Sequence, residues 1–183
     1  MAAANWFRYA YLSRLSRPAG HRQLYRLVKR QQICRIIEVG ISDMGRAISL
    51  IEVAQRYAGG QKVWYTGIDW FDARQPGQPK LTLKDAYCDL RATGATVRLV
   101  PGAPGRSLAA AANAHQNTDL ILISPGVTED DLRGAWFYVP RMLHDKTTIL
   151  HEGRDAKGEP SITSLSRTQV AEWAVRDSSR RAA

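Results

Sequence analysis

The sequence predicts an α/β fold, a doubly wound and mostly parallel Rossmann-like sheet of about five strands with helices ahead of it. Three observations carry that expectation. From residue 33 onward, short β-branched runs alternate with stretches of helical periodicity. Repeated alternation of this kind calls for parallel strands joined by right-handed crossovers. The first run ends at Gly40 and the second delivers Asp69, residue types suited to a strand end where a ligand meets backbone. Before residue 33 the periodicity is helical throughout.

Residues 1–32 read as two basic helices that pack on the domain. Trp6, Tyr9, Leu12 and Leu15 recur at near-helical spacing, with Arg8 and Arg14 between them. Arg17-Pro18-Ala19-Gly20 breaks the run, and Leu24, Leu27 and Val28 mark the second stripe. Residues 33–39 then form a short β-branched run ending at Gly40, the pattern of a buried first strand. Ala47, Leu50, Ile51, Ala54 and Ala58 follow helical spacing until Gly59-Gly60 stops them. Residues 62–68 make the second strand and deliver Asp69 at its carboxyl end.

A polar loop with Pro76, Gly77 and Pro79 leads to a helix over about 81–92. The third strand, 96–100, is followed by Pro101-Gly102-Ala103-Pro104-Gly105 and an alanine-rich helix to about His115. The fourth, 119–123, meets Ser124-Pro125-Gly126, and a helix is expected from about Glu129 to Leu143. Thr128, Glu129, Asp130 and Asp131 suit its N-terminus. The fifth strand, 146–150, ends at His151-Glu152-Gly153. Ser166-Arg167-Thr168-Gln169 is a capping box opening a last short helix, and 177–183 reads as a frayed basic tail. The domain proper therefore spans 33–176, and no internal repeat is visible.

Composition narrows the function classes. A chain of 183 residues fits one domain with a sizeable core. No apolar run approaches the ~18 residues that cross a bilayer, and the first residues lack a secretory leader pattern. Cys34 and Cys88 have no His or Cys neighbours at metal spacing and read as reduced thiols, which points to the cytoplasm. The net charge is +9, and much of the basic excess sits at the two ends of the chain. It favours encounter with nucleic acid, anionic membrane or phosphorylated substrates without identifying any of them.

The chemistry is expected in the loops beyond the strand ends. Gly40 and Gly45 frame the first, Asp69 can accept hydrogen bonds from a ribose in the second, and Gly102 with Ala103 leaves room for a flat base in the third. Ile36-Ile37-Glu38-Val39-Gly40, Gly67-Ile68-Asp69, the run from Asp119 to Ser124, and Leu150-His151-Glu152 together resemble the layout of class I S-adenosylmethionine-dependent methyltransferases. The nearest look-alike is the small-molecule and sugar O-methyltransferase group, over residues 33–153.

That resemblance implies S-adenosylmethionine as cofactor. Gly40 and Gly45 would lie against its methionine part, with Glu38 as the acid ending the first strand. Asp69 would hold the ribose, Gly102 and Ala103 would face the adenine, and Trp70 is a candidate to stack near it. His151 is the candidate general base for removing a hydroxyl proton. The implied reaction is methyl transfer to a small-molecule acceptor, as O-methylation.

Three departures bear on this. The glycines are spaced differently from the family's, with Ser42 where a further glycine is common. Ser124 stands where the look-alike group carries an aspartate ligand to a divalent metal, and Glu152 replaces another aspartate. Losing a hard oxygen ligand implies that no metal is held, with Ser124 left on the cofactor side. About thirty residues follow the fifth strand, too few for the two strands the family adds there. The alternative reading is a non-catalytic binding or scaffold protein on the same fold. A nicotinamide-dependent enzyme is disfavoured because Gly40-Ile-Ser-Asp-Met-Gly45 lacks the middle glycine of the dinucleotide fingerprint. His21, His115 and His144 lack partners at useful spacing and read as structural. An uncovered fifth strand needs a cover, either the segment 161–165 or a second copy, so a homodimer is expected through that edge or the N-terminal helix.

Overall fold

The computed structural model describes residues 2–16, 19–155 and 158–182. The side chains of Trp6 and Phe7, and the expected turn at Arg17-Pro18, lie outside the described part. Two helices come first, α1 (Ala2–Arg14) and α2 (Ala19–Gln31). Alternation then follows: β1 (Arg35–Val39), α3 (Met44–Tyr57), β2 (Trp64–Asp69), α4 (Leu83–Ala92), β3 (Thr96–Pro101), α5 (Pro104–Ala111) and β4 (Thr118–Ile123). The chain closes with β5 (Leu143–Arg154), β6 (Pro160–Leu165) and α6 (Arg167–Ala182).

The sheet has the order β3-β2-β1-β4-β5-β6. The first five strands are parallel, and strand order reverses at β1, between β2 and β4. Alternation of period two sorts the side chains onto two faces. Ile36, Leu120, Leu122 and Leu150 face α2, α3 and α4, while Ile37, Ile121, Ile123 and Ile149 face α5 and the segment after β4. Each such fully buried side chain contributes about 1.5–3 kcal/mol of transfer free energy, and the two layers fix the sheet between them. The helices end where local chemistry dictates. Asp43 caps α3 through the Arg46 N–H at 3.2 Å, and Thr82 caps α4 through Asp85 N–H at 3.0 Å.

Three expectations are corrected. The sheet has six strands rather than about five, because 160–165 pairs antiparallel with β5 from Arg154↔Pro160 to Ile149↔Leu165. The edge that suggested a homodimer is thus covered from within the chain by β6.

The helix expected over 129–143 is absent. Single 3-10 turns at Asp130–Leu132 and Val139–Met142 stand in its place. The buried residues Ala135, Trp136, Val139 and Met142 do keep helical spacing. Gly134, however, takes a left-handed φ of +81° and breaks the chain direction, and Pro140 has no N–H with which to continue a helix.

Residues 177–182 are not a loose tail, since α6 runs through them to Ala182. Its inner side rests on the domain through Val170, Trp173 and buried Asp177. The N-terminal helices pack against α3 and the sheet. Leu24, Tyr25 and Val28 of α2 enter the core, and Tyr9 of α1 meets Tyr57 edge-on at 4.9 Å.

Candidate functional site

Register places the site. Val39 lies level with Ile68 on one side and Ile123 on the other, and Ile123 lies level with His151. The residues that follow these strand ends, Gly40, Asp69 and Ser124, therefore emerge side by side at the reversal point. They line a cleft of about 470 Å³ together with Ile41, Ser42, Trp70, Arg74 and Asp131. That size is ordinary for a small-molecule site.

Gly40 turns the chain with φ +78° and donates its N–H to Ile68 O at 2.7 Å. A side chain here would be strained, and its Cβ would fall 2.6 Å from Val127 Cγ2. The Ser124 hydroxyl donates to Gly40 O and pins the turn from the other side.

Asp69 forms the wall at the end of β2 and is almost fully buried. Its Oδ2 accepts from the Ile41 N–H at 2.7 Å and Arg74 Nη2 at 2.8 Å, and its Oδ1 from the Phe71 N–H at 2.9 Å and Arg74 Nε at 2.7 Å. Burial alone would raise this carboxyl, but Arg74 and the two backbone donors outweigh it and hold the pKa below the usual range. With four donors the acceptor positions of Asp69 are filled. Arg74 also donates to Ile41 O at 2.6 Å and Pro79 O at 2.9 Å, so it straps the loop after β2 across the cleft. Trp70, 42% exposed, offers an aromatic face on the same wall.

A second polar assembly sits beneath the floor. Arg46, at the start of α3 and 2% exposed, donates to Glu38 Oε1 at 2.5 Å and to Glu152 Oε1 at 3.1 Å. It also reaches Ser42 Oγ at 3.3 Å and Ser124 Oγ at 3.4 Å, and its Nε has no hydrogen-bond partner. Tyr65 OH donates to the other Glu38 oxygen at 2.8 Å. Burial pushes Glu38 up against the opposing pull of Arg46 and Tyr65. Burial likewise pushes Glu152 up, to about 7, with Arg46 opposing and Glu38 reinforcing the rise. One guanidinium balances one carboxylate, so the pair Glu38 and Glu152 keeps a proton towards neutral pH.

The expected site residues divide accordingly. Gly40, Asp69, Trp70 and Ser124 line the cleft. Glu38 lies under it, engaged by Arg46. Gly45 sits in the first turn of α3, its Cα side packed near Asp43 Oδ1. Gly102, φ +127°, ties its N–H to Asp69 O at 2.9 Å, and Ala103 precedes α5; the next residue, Pro104, is the one that lines the cleft. His151 opens instead into a neighbouring recess of about 90 Å³, walled by Trp136, Leu165 and Trp173. Val127 is common to cleft and recess.

Arg46 and Arg74 were not anticipated. Arg46 carried a usable signal, because it lies one turn before Leu50 on the apolar stripe of α3, where a charge needs a buried partner. Arg74, in a polar loop, carried none. Ser124 and Glu152 both face the fixed positive charge of Arg46. Among the described residues no three His, Cys, Asp or Glu side chains cluster to hold a metal.

Neither a family model nor a curated protein matches the sequence. Among solved structures, the chain is similar to cofactor-bound Rv0187 from MTB, with 20% identity and a TM-score of 0.53 over 97% of this chain and 75% of that one. Looser likenesses are a cyclopropane-fatty-acyl-phospholipid synthase-like protein from Lactobacillus casei and a SAM-dependent methyltransferase from Leishmania major. The first has 18% identity and TM-score 0.41 over 85% of this chain and 58% of that one. The second has 10% identity and TM-score 0.38 over 95% and 72%. The likeness to Rv0187 shows the fold, a Rossmann-like sheet with flanking helices.

Proposed function

We propose that the chain binds S-adenosylmethionine in the cleft and transfers its methyl group to a small-molecule acceptor, as an O-methyltransferase. The observation that carries this reading is the pairing of a left-handed glycine turn after β1 with a carboxylate at the level end of β2. Close backbone approach at Gly40 suits the cofactor's amino-acid part, and Asp69 suits the ribose once Arg74 yields its two positions. Trp70 and Pro104 flank the place for the base. When bound, the cofactor supplies an electrophilic methyl on a sulfonium.

The protein's own share is alignment and proton removal. Holding acceptor and methyl in line is worth on the order of 7–11 kcal/mol when the geometry is fixed. His151, one strand over from Ser124, is the candidate to take the acceptor hydroxyl proton. Its recess holds only about 90 Å³, roughly three water molecules, so the acceptor approaches from the cleft side past Val127. The same small recess favours the second reading, a cofactor-holding protein without turnover.

The deciding experiment is calorimetric titration with S-adenosylmethionine beside NAD. Binding of the first alone is expected, and Asp69→Ala is expected to weaken it by about 1–3 kcal/mol, the worth of a hydrogen bond to a charged group. Silence from the parent protein, or equal affinity in the variant, overturns the assignment. Binding without methyl release across a panel of hydroxylated acceptors selects the second reading.

A further inference from the structure

Residues 1–37 contain eight arginines and lysines and no acid; Glu38 is the first carboxylate in the chain. Almost the entire net charge of +9 therefore belongs to the N-terminal fifth of the sequence. The structure concentrates it further. Arg22, Arg26 and Arg30 recur every four residues along α2, forming one stripe. The opposite side of α2 is spent on the core through Leu24, Tyr25 and Val28, which leaves Arg26 and Arg30 in solvent.

The end of α1 is fastened beside that stripe. Arg22 Nη1 donates to Arg14 O at 3.3 Å, and Arg26 Nε to Ser13 O at 2.8 Å. Two large apolar side chains stand exposed there, Tyr11 at 56% and Leu15 at 65%. Between α2 and β6 runs a groove of about 370 Å³ whose apolar part is Leu24, Leu27, Leu150 and Ile162, with Arg26 and Arg30 also lining it.

We propose that this face docks on the surface of an anionic phospholipid bilayer. The guanidinium stripe pairs with lipid phosphates, which it matches in a two-point fork. Leu15 and Tyr11 enter the interface, and the groove accepts part of an acyl chain. Charge alone would serve any polyanion. The exposed apolar pair and the apolar groove call for an apolar phase next to the phosphates, which a bilayer has and a nucleic acid backbone lacks. A second copy is disfavoured on this face, since it would set one acid-free surface against another. Among the described residues no helix is long and apolar enough to cross a membrane, so the attachment is peripheral.

Co-sedimentation of the full chain with vesicles tests this, using phosphatidylcholine alone or mixed with phosphatidylglycerol, at low and high salt. Binding is expected only to the mixed vesicles and to weaken with salt. Arg30→Glu is expected to lower partitioning about tenfold, given the worth of each charge near an anionic surface. Leu15→Ser is expected to lower it several-fold while the salt dependence persists, with unchanged far-UV circular dichroism in both variants. Failure to bind mixed vesicles overturns the proposal. So does duplex DNA binding of equal strength that ignores Leu15→Ser, which would assign the face to nucleic acid.

Discussion

Two arginines clamp carboxylates at the carboxyl end of the sheet, yet they differ in what they leave available. Arg74 holds Asp69 at the cleft wall, with its side chain 12% exposed and its strap made to loop carbonyls. Arg46 holds Glu38 and Glu152 with no exposed side-chain surface at all. The first clamp borders the open cleft, within reach of anything bound there. The second borders only packed protein, so it ties β1, α3 and β5 together and serves the cleft by positioning the Ser42 and Ser124 loops. Burial, rather than residue type, separates a displaceable contact from an architectural one.

The sharpest way to break this comparison is Arg46→Ala. The buried Glu38/Glu152 pair would lose its counter-charge, and urea denaturation should show a loss of about 3–5 kcal/mol. A loss below about 1 kcal/mol, the scale of a surface pair, would mean that the lower assembly is not architectural.

Next in size is the pH dependence carried by Glu152. Its carboxyl is pushed up to about 7 from 4.5 by burial, so the folded state holds the proton more tightly than the unfolded chain. Its stabilising contribution is complete below pH 4.5 and is lost as pH rises through 7. Glu152→Gln should flatten that decline, by on the order of 1–3 kcal/mol between pH 5 and 8. His21, lowered first by burial and then by Arg46, works in the opposite direction, contributing above pH 6.5 and losing as pH falls. The difference between parent and variant isolates Glu152.

Arg74→Ala sharpens the upper half of the comparison. It should lower stability yet keep S-adenosylmethionine affinity within about threefold, less than the factor of ten that 1.4 kcal/mol represents. A loss as large as that of Asp69→Ala would show that Asp69 exists to hold Arg74 and not a ribose. The smallest expected effect is none: any methyl transfer should survive EDTA, because Arg46 already supplies the positive charge between Ser124 and Glu152. Activity lost to the chelator and restored by magnesium would reverse that conclusion.

The alternation of strands and helices was readable because buried parallel strands are short β-branched runs and their crossovers keep helical period. Asp69 and Gly40 were readable for the same reason, as strand-end residues. The stretch from Asp130 to Met142 was misleading because its buried side chains obey helical spacing while Gly134 and Pro140 forbid the helix. The sixth strand was partly visible in the β-compatible run 161–165, but pairing is a property of the partner strand as much as of the run itself. Arg74 was invisible, since a loop residue's partner five positions back is decided by how the loop folds over the cleft.

Val127, seated on the bare backbone of Gly40, belongs at once to the cleft and to the His151 recess. It takes part in none of the hydrogen bonds made by side chains there. Its two methyl groups belong to the buried apolar cluster beside Val39 and Ile123, so trimming or enlarging them is felt first in packing and not in the hydrogen bonds of Asp69 or Arg46. A single aliphatic side chain thus sets how the cleft and the recess are divided, and it does so from within the packed core.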